Sequence, residues 1–113
     1  MHELTLAVNI VEIAESEARQ AGSLRIHEVL IEAGILSGVD PEALKTALDI
    51  ASKNTILESA GFVIQQEQGA GICSQCGKEF PMDSLYTYCN ECRAPANRIL
   101  KGTGLRVVSI RID

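Results

Sequence analysis

Residues 73–93 read Cys-Ser-Gln-Cys-Gly-Lys-Glu-Phe-Pro-Met-Asp-Ser-Leu-Tyr-Thr-Tyr-Cys-Asn-Glu-Cys-Arg, and this stretch holds all four cysteines of the 113-residue chain. Cys73 and Cys76 form one C-x-x-C pair, Cys89 and Cys92 a second, with 12 residues between the pairs. A C-x-x-C turn can present two sulfurs to one ion, so two such turns complete a tetrahedral thiolate shell. Four soft ligands and no open position suit Zn²⁺ in a structural role, because zinc has no redox chemistry and no geometric demand that thiolates fail to meet. Gly77 follows the first pair, where a tight turn is needed, and Arg93 takes the corresponding place after the second.

The spacing resembles that of zinc ribbons. A thiol–disulfide role is the competing reading, but it normally needs a single pair at the start of a helix inside a βαβ unit. The cysteine-bearing segment has few aliphatic residues and no long apolar period. A segment of about 30 residues of this kind needs a metal to fold, and metal-linked folding contributes on the order of 10–16 kcal/mol in zinc-finger peptides.

Outward from the cysteines the chain becomes aliphatic and periodic. Towards the N-terminus, Leu4, Val8, Val11, Ala14 and Ala18 recur at helical spacing over residues 4–21, and Gly22 is placed to end that helix. Residues 24–35 alternate as a strand, with Val29, Ile31, Ala33 and Ile35 on one face. Asp40-Pro41-Glu42 is a helix start, combining an N-cap, a proline at the first helical position and an early acid. The helix is expected to run to about Lys53 and to bury Leu44, Ala47, Leu48 and Ala51. Gly61 opens a strand to about Glu67, Gly69-Ala70-Gly71 reads as a boundary, and Leu105–Ile112 form a last strand.

The expected fold is therefore α+β: a small sheet of about three strands with two helices on one face, plus a four-cysteine zinc-ribbon insert. The expected domains are residues 1–70 with 103–113, and residues 71–102.

Composition narrows the function. The net charge is −5, from 10 basic and 15 acidic residues, which argues against a general nucleic-acid binder. No apolar run reaches the length that spans a bilayer, and Glu3, Asn9, Glu12 and Glu15 break up the N-terminal stretch, so neither a membrane segment nor a signal peptide is expected. A cytoplasmic location is expected, where paired cysteines bind metal more often than they form disulfides. No G-x-x-x-x-G-K-[ST] phosphate loop and no His-anchored Cys or Ser nucleophile is present, so the chain does not read as an enzyme.

Met1-His2-Glu3 is the second notable feature. His2 is too bulky for the usual trimming of the initiator methionine. A histidine at the second position can then chelate through the terminal amine, its own amide nitrogen and its imidazole. Three nitrogens and one further ligand suit square-planar Ni²⁺ or Cu²⁺. The residues alone favour the plainer reading, a frayed tail with an exposed histidine.

The whole pattern adds weight to the first reading. Met1-His2-Glu3 opening into a helix, Glu32-Ala33-Gly34-Ile35-Leu36-Ser37, then Val39-Asp40-Pro41-Glu42-Ala43-Leu44, two C-x-x-C pairs and a terminal strand together resemble the HypA/HybF family of hydrogenase maturation factors. The resemblance covers essentially all 113 residues. It implies a nickel metallochaperone for [NiFe]-hydrogenase with zinc in a structural ribbon. It implies nickel at His2, with Met1 and Glu3 contributing through the terminal amine and backbone, and zinc at Cys73, Cys76, Cys89 and Cys92. The implied partners are a HypB-type GTPase, the [NiFe]-hydrogenase large subunit and, in some organisms, urease maturation proteins.

Asp40 matches a family position near the nickel site, but its reading as a helix N-cap is the stronger one. His27 reads as a half-exposed strand residue. Glu28 and Glu32 read as a solvated face, and the exposed side of the first helix, with Glu12, Glu15 and Arg19, is the expected partner contact. No histidine occurs between residues 28 and 113, so no second imidazole is available from the cysteine region. The alternative function is a zinc-ribbon interaction module with no second metal.

Overall fold

The computed structural model describes residues 2–113; Met1 lies outside the described residues. The elements are α1 (His2–Gln20), β1 (Ile26–Gly34), α2 (Pro41–Ala51), β2 (Gly61–Glu67), β3 (Gly69–Cys73), β4 (Glu79–Met82), β5 (Ala96–Lys101) and β6 (Leu105–Ile112). They form two helices and two three-stranded sheets, ordered β2-β1-β6 and β4-β3-β5. The chain divides into two compact units: residues 1–32, 40–65 and 106–113, and residues 33–39 with 66–105.

The first unit is built on an aliphatic core. α1 buries Ala7, Ile10, Val11, Ala14 and Ala18, a stripe of mostly small side chains against which α2 packs with Leu44, Ala47 and Leu48. Val8, expected on this stripe, is 41% exposed; Ala7 and Ile10 occupy the face instead. Residues 4, 8 and 11 fit a helical period as well as 7, 10 and 11 do, and only the approach of α2 decides between them. The helix ends in a Schellman arrangement, the N–H of Ser23 donating to the Ala18 carbonyl and that of Gly22 to Arg19. Asp40 caps α2 by accepting the N–H of Glu42 at 3.0 Å, with Pro41 in the first turn.

β1 is the central strand of its sheet, with Val29, Ile31 and Ala33 fully buried. The strand is shorter than the expected 24–35, and Leu24 before it is 84% exposed. Arg106 donates to Glu32 at 3.0 Å and His27 bonds to Asp113, and the order of these two pairs along the strands places β6 antiparallel beside β1.

The second unit corrects the reading of Gly69-Ala70-Gly71 as a boundary. These residues lie in β3, the middle strand of the second sheet, antiparallel to both β4 and β5. A Cβ on Gly71 would lie 2.6 Å from the Met82 sulfur and 2.9 Å from the Ala96 Cβ, and one on Gly69 would lie 2.6 Å from Leu36 Cδ1. Glycine here admits neighbouring chains; it does not break the strand. The core of this unit is Leu36, Cys73, Phe80, Met82, Cys89 and Ala94.

The unit is also wider than residues 71–102. Ile35 N–H donates to the Glu67 carbonyl at 2.9 Å and Leu36 N–H to Gly102 at 2.7 Å, and Leu36 joins the core, so residues 33–39 belong with the cysteines. Among the described residues, no helix is long and apolar enough to cross a membrane.

Gly34 sits against the backbone of Gly102, whose carbonyl oxygen and carbon occupy the space a Cβ would need. Backbone cannot swing aside as a side chain can. Gly34→Ala should therefore destabilise the protein by about 3 kcal/mol or more. Gly104→Ala, with nothing within 4 Å of the added carbon, should change stability by less than about 1 kcal/mol. Urea denaturation of the two variants beside the parent checks the contrast.

Candidate metal centre

The β3–β4 turn and the loop into β5 carry the two cysteine pairs, and they are built alike. Cys73 N–H donates to the Lys78 carbonyl at 2.9 Å, and Gly77 N–H returns to the Cys73 carbonyl at 3.1 Å. In the second pair Cys89 N–H donates to Ala94 at 3.0 Å, and Arg93 N–H returns to Cys89 at 2.8 Å. Each turn is closed by a residue with positive φ, Gly77 at 74° and Arg93 at 54°. Two copies of one knuckle thus face each other, as the matched C-x-x-C spacing implied.

The result is a cluster in which the Sγ atoms of Cys73, Cys76, Cys89 and Cys92 all lie within 4.8 Å of one another. Cys76 and Cys89 sulfurs are 3.9 Å apart. A tetrahedral ion with metal–sulfur bonds of about 2.3 Å has sulfur–sulfur edges of about 3.8 Å, so the donor set fits such an ion with little adjustment.

Burial is uneven. Cys73 and Cys89, the first of each pair, are buried with Phe80 and Met82, while Cys76 and Cys92, the second of each pair, are exposed. The Cys73 sulfur accepts the N–H groups of Gln75 and Cys76, each at 3.4 Å. The Cys76 N–H is the main reason that the Cys73 thiol is lowered to about 6. Cys92 is pushed up to about 12, chiefly through its contact with the Cys76 thiol and then by desolvation. One sulfur is thus ready to bind as an anion, and another holds its proton until an ion displaces it. Lys78 pairs with Glu91 at 3.3 Å across the two knuckles, on the surface.

The other residues singled out by sequence lie in the first unit. His2 is exposed and Glu3 half-buried in the opening turn of α1. Glu3 lines a cavity of about 310 Å³ with Leu4, Ala43, Thr46, Ala47 and Ile50; Asp40 is not among its walls and is engaged as the α2 cap. His27 is half-buried on β1 and bonded to Asp113, and Glu32 is paired with Arg106. Glu12 and Arg19 are exposed on α1, and Glu15 is half-buried. Among the described residues the four cysteines are the one group of three or more ligating side chains that converge. Leu36 and Glu67 went unnoticed in the sequence. Leu36 packs in the core beside Cys73 and Cys89, and the Glu67 carboxylate accepts the N–H of Gly102 at 3.1 Å. Neither has a local signal, since each acts on residues far along the chain.

Two outcomes follow from this geometry. The Gly77 side has open space, so Gly77→Ala suffers only the left-handed backbone and should lose about 1 kcal/mol in metal-loaded protein. Arg93→Gly relieves the same strain and should be neutral or stabilising by up to about 1 kcal/mol, read as a shift in denaturation midpoint. Metal uptake should also weaken as pH falls. Around neutrality the Cys92 proton must already be displaced, and below about pH 6 the Cys73 proton must be displaced as well. Chelator competition across this range should give a plot of log affinity against pH that steepens on the acid side.

The comparisons with known proteins agree with this architecture. A family model described as hydrogenase/urease nickel incorporation, metallochaperone, hypA matches residues 1–112. A hydrogenase maturation factor HypA from Parabacteroides distasonis is 43% identical over 112 residues, covering 99% of this chain and 97% of its own. Another, from Geobacter metallireducens, is 37% identical over the full length of both. The fold is shared with the solution structure of the Ni metallochaperone HypA from Helicobacter pylori, at a TM-score of 0.70 and 20% identity over 97% of this chain and 96% of that one. The chain therefore belongs to the HypA family of nickel-incorporation metallochaperones, whose role in hydrogenase maturation is not an enzymatic one.

Proposed function

We propose that this protein binds Ni²⁺ at its N-terminus and delivers it during [NiFe]-hydrogenase maturation, while Cys73, Cys76, Cys89 and Cys92 hold a structural Zn²⁺. The observation that carries the reading is the family match from residue 1, which takes in Met1-His2-Glu3 as well as both cysteine pairs.

The local chemistry supports each half. Four thiolates at tetrahedral spacing are a closed shell that suits zinc and leaves no position for a transferable ion. Nickel needs a site it can leave. His2 is exposed at the start of α1, and the first N–H groups of a helix have no intrahelical acceptor. The His2 amide nitrogen is therefore free to join the Met1 amine and the His2 imidazole, with the Glu3 backbone or side chain beside them. The α1 face bearing Glu12, Glu15 and Arg19 leads directly away from this chelate and is a suitable docking surface for the acceptor.

The partners that fit are a HypB-type GTPase, since the chain has no phosphate loop of its own, and the hydrogenase large subunit. Urease maturation proteins are a further recipient class. Reduced cysteines suit a cytoplasmic setting.

Calorimetric nickel titration of three proteins tests the proposal: the native start, a Gly-Ser extension before Met1, and His2→Ala. The native protein should bind one nickel per chain. Both variants should lose at least about tenfold in affinity, because each removes one arm of the chelate. Zinc content and helical circular dichroism should be the same in all three. An extended protein that binds nickel as tightly as the native one would remove the amine from the ligand set.

A further inference from the structure

The two knuckles leave their sulfurs in unequal surroundings. Cys73 is 1% exposed and Cys89 4%, both packed in the core with Leu36, Phe80, Met82 and Ala94. Cys73 is further engaged by two backbone N–H groups. Cys76 and Cys92 are exposed, come from different knuckles, and belong to a cluster whose sulfurs lie within 4.8 Å of one another. One edge of the tetrahedron thus faces solvent and the opposite edge faces the core.

We propose that Cys76 and Cys92 form an oxidisable edge of the zinc centre, at which peroxide makes a disulfide across the two knuckles and expels the metal. The proposal rests on the zinc reading above. A solvent-facing thiolate, Cys76 or Cys92, attacks one oxygen of hydrogen peroxide; the O–O bond breaks, the sulfur is oxidised to a sulfenic acid, and hydroxide leaves. The other exposed thiolate attacks that sulfur, forming the S–S bond and releasing a second hydroxide. Two thiolates have then given up two electrons, and the peroxide has taken them. Only Cys73 and Cys89 would then remain to hold a zinc ion, half of the shell that four thiolates would supply.

Access decides which sulfurs react, because a thiolate buried in an apolar core meets little oxidant and its hydrogen bonds draw off electron density. Exposure also decides the pairing, because the 3.9 Å approach of Cys76 to Cys89 joins an exposed sulfur to a buried one. The partners nearest in sequence, Cys73 with Cys76 and Cys89 with Cys92, each combine one exposed and one buried sulfur. Only Cys76 with Cys92 joins two exposed ones. The product would keep the knuckles tied while removing the ion beneath them, so thiol reductant and zinc together should restore the site.

The experiment uses the full-length zinc-loaded protein. Zinc content is first measured by elemental analysis, hydrogen peroxide is added, and released zinc is followed with a chromophoric chelator. Disulfides are mapped by peptide mass spectrometry without reduction. The expected result is one zinc released per disulfide formed, a dominant Cys76–Cys92 crosslink, and recovery of bound zinc after dithiothreitol and zinc are added. Brief alkylation of untreated protein provides a second reading, with Cys76 and Cys92 labelled before Cys73 and Cys89. Zinc retained under peroxide, or a dominant crosslink other than Cys76–Cys92, would overturn the proposal. Protein that holds no zinc at the outset would instead overturn the zinc reading, and that outcome is separate because it is recorded before any oxidant is added.

Discussion

Four sulfurs have to meet at one point, and in the second unit most of the remaining structure serves that requirement. Thiolates repel one another, and a core of six side chains, two of them the cysteines themselves, is too small to hold them together unaided. The solution is local geometry. Each pair is folded into a turn closed by two backbone hydrogen bonds and a left-handed residue, so that each pair is preset before the other arrives. The second sheet then sets the distance between turns: β3 ends in Cys73, and its partners β4 and β5 flank the intervening loop. An ion placed among the four sulfurs cancels their repulsion and becomes the centre of the core.

That arrangement explains which parts of the molecule could be read from sequence. The convergence of the four cysteines was legible because its signal is a spacing, and spacing survives without any knowledge of neighbours. Both long helices were legible for a similar reason: Asp40-Pro41 and Gly22 are local signals of a start and a stop. Their faces were less so. Val8 and Ala7 both satisfy a helical period, and the choice fell to Ala7 because small residues allow α2 to come close. The second sheet was hidden. β3 begins Gly69-Ala70-Gly71, β4 is four residues long and contains Pro81, and β5 has no buried residue. β3 and β5 lack the alternating apolar pattern by which a strand is recognised, and β4 alternates, with Phe80 and Met82 buried, over only four residues. They pair because glycine lets neighbouring chains approach and because the cysteine turns sit at their ends, which are non-local facts.

The same distinction accounts for residues 33–39. Their sequence continues the apolar alternation of β1, so periodicity assigns them to the helix-bearing unit. Their backbone hydrogen bonds and the burial of Leu36 assign them to the cysteine-bearing one. A strand pattern records which side chains alternate; it says nothing about which core the last of them enters.

The two units also differ in what they ask of pH and metal. The first is held by aliphatic burial, from Ile26, Val29, Ile31, Leu44, Leu48 and Leu57, none of which titrates or binds an ion. The second depends on thiols whose protons compete with a metal. His2 and Glu3, at the start of α1, therefore lie in the unit with the aliphatic core, and the four cysteines lie in the other. This separation has a physical advantage for a carrier. An ion held at the proposed N-terminal chelate would not be needed to keep the surrounding chain folded, so its release would leave the aliphatic core of α1, α2 and β1 in place. An ion that staples a core cannot be handed over so cheaply, because its departure would unfold the surface from which it left.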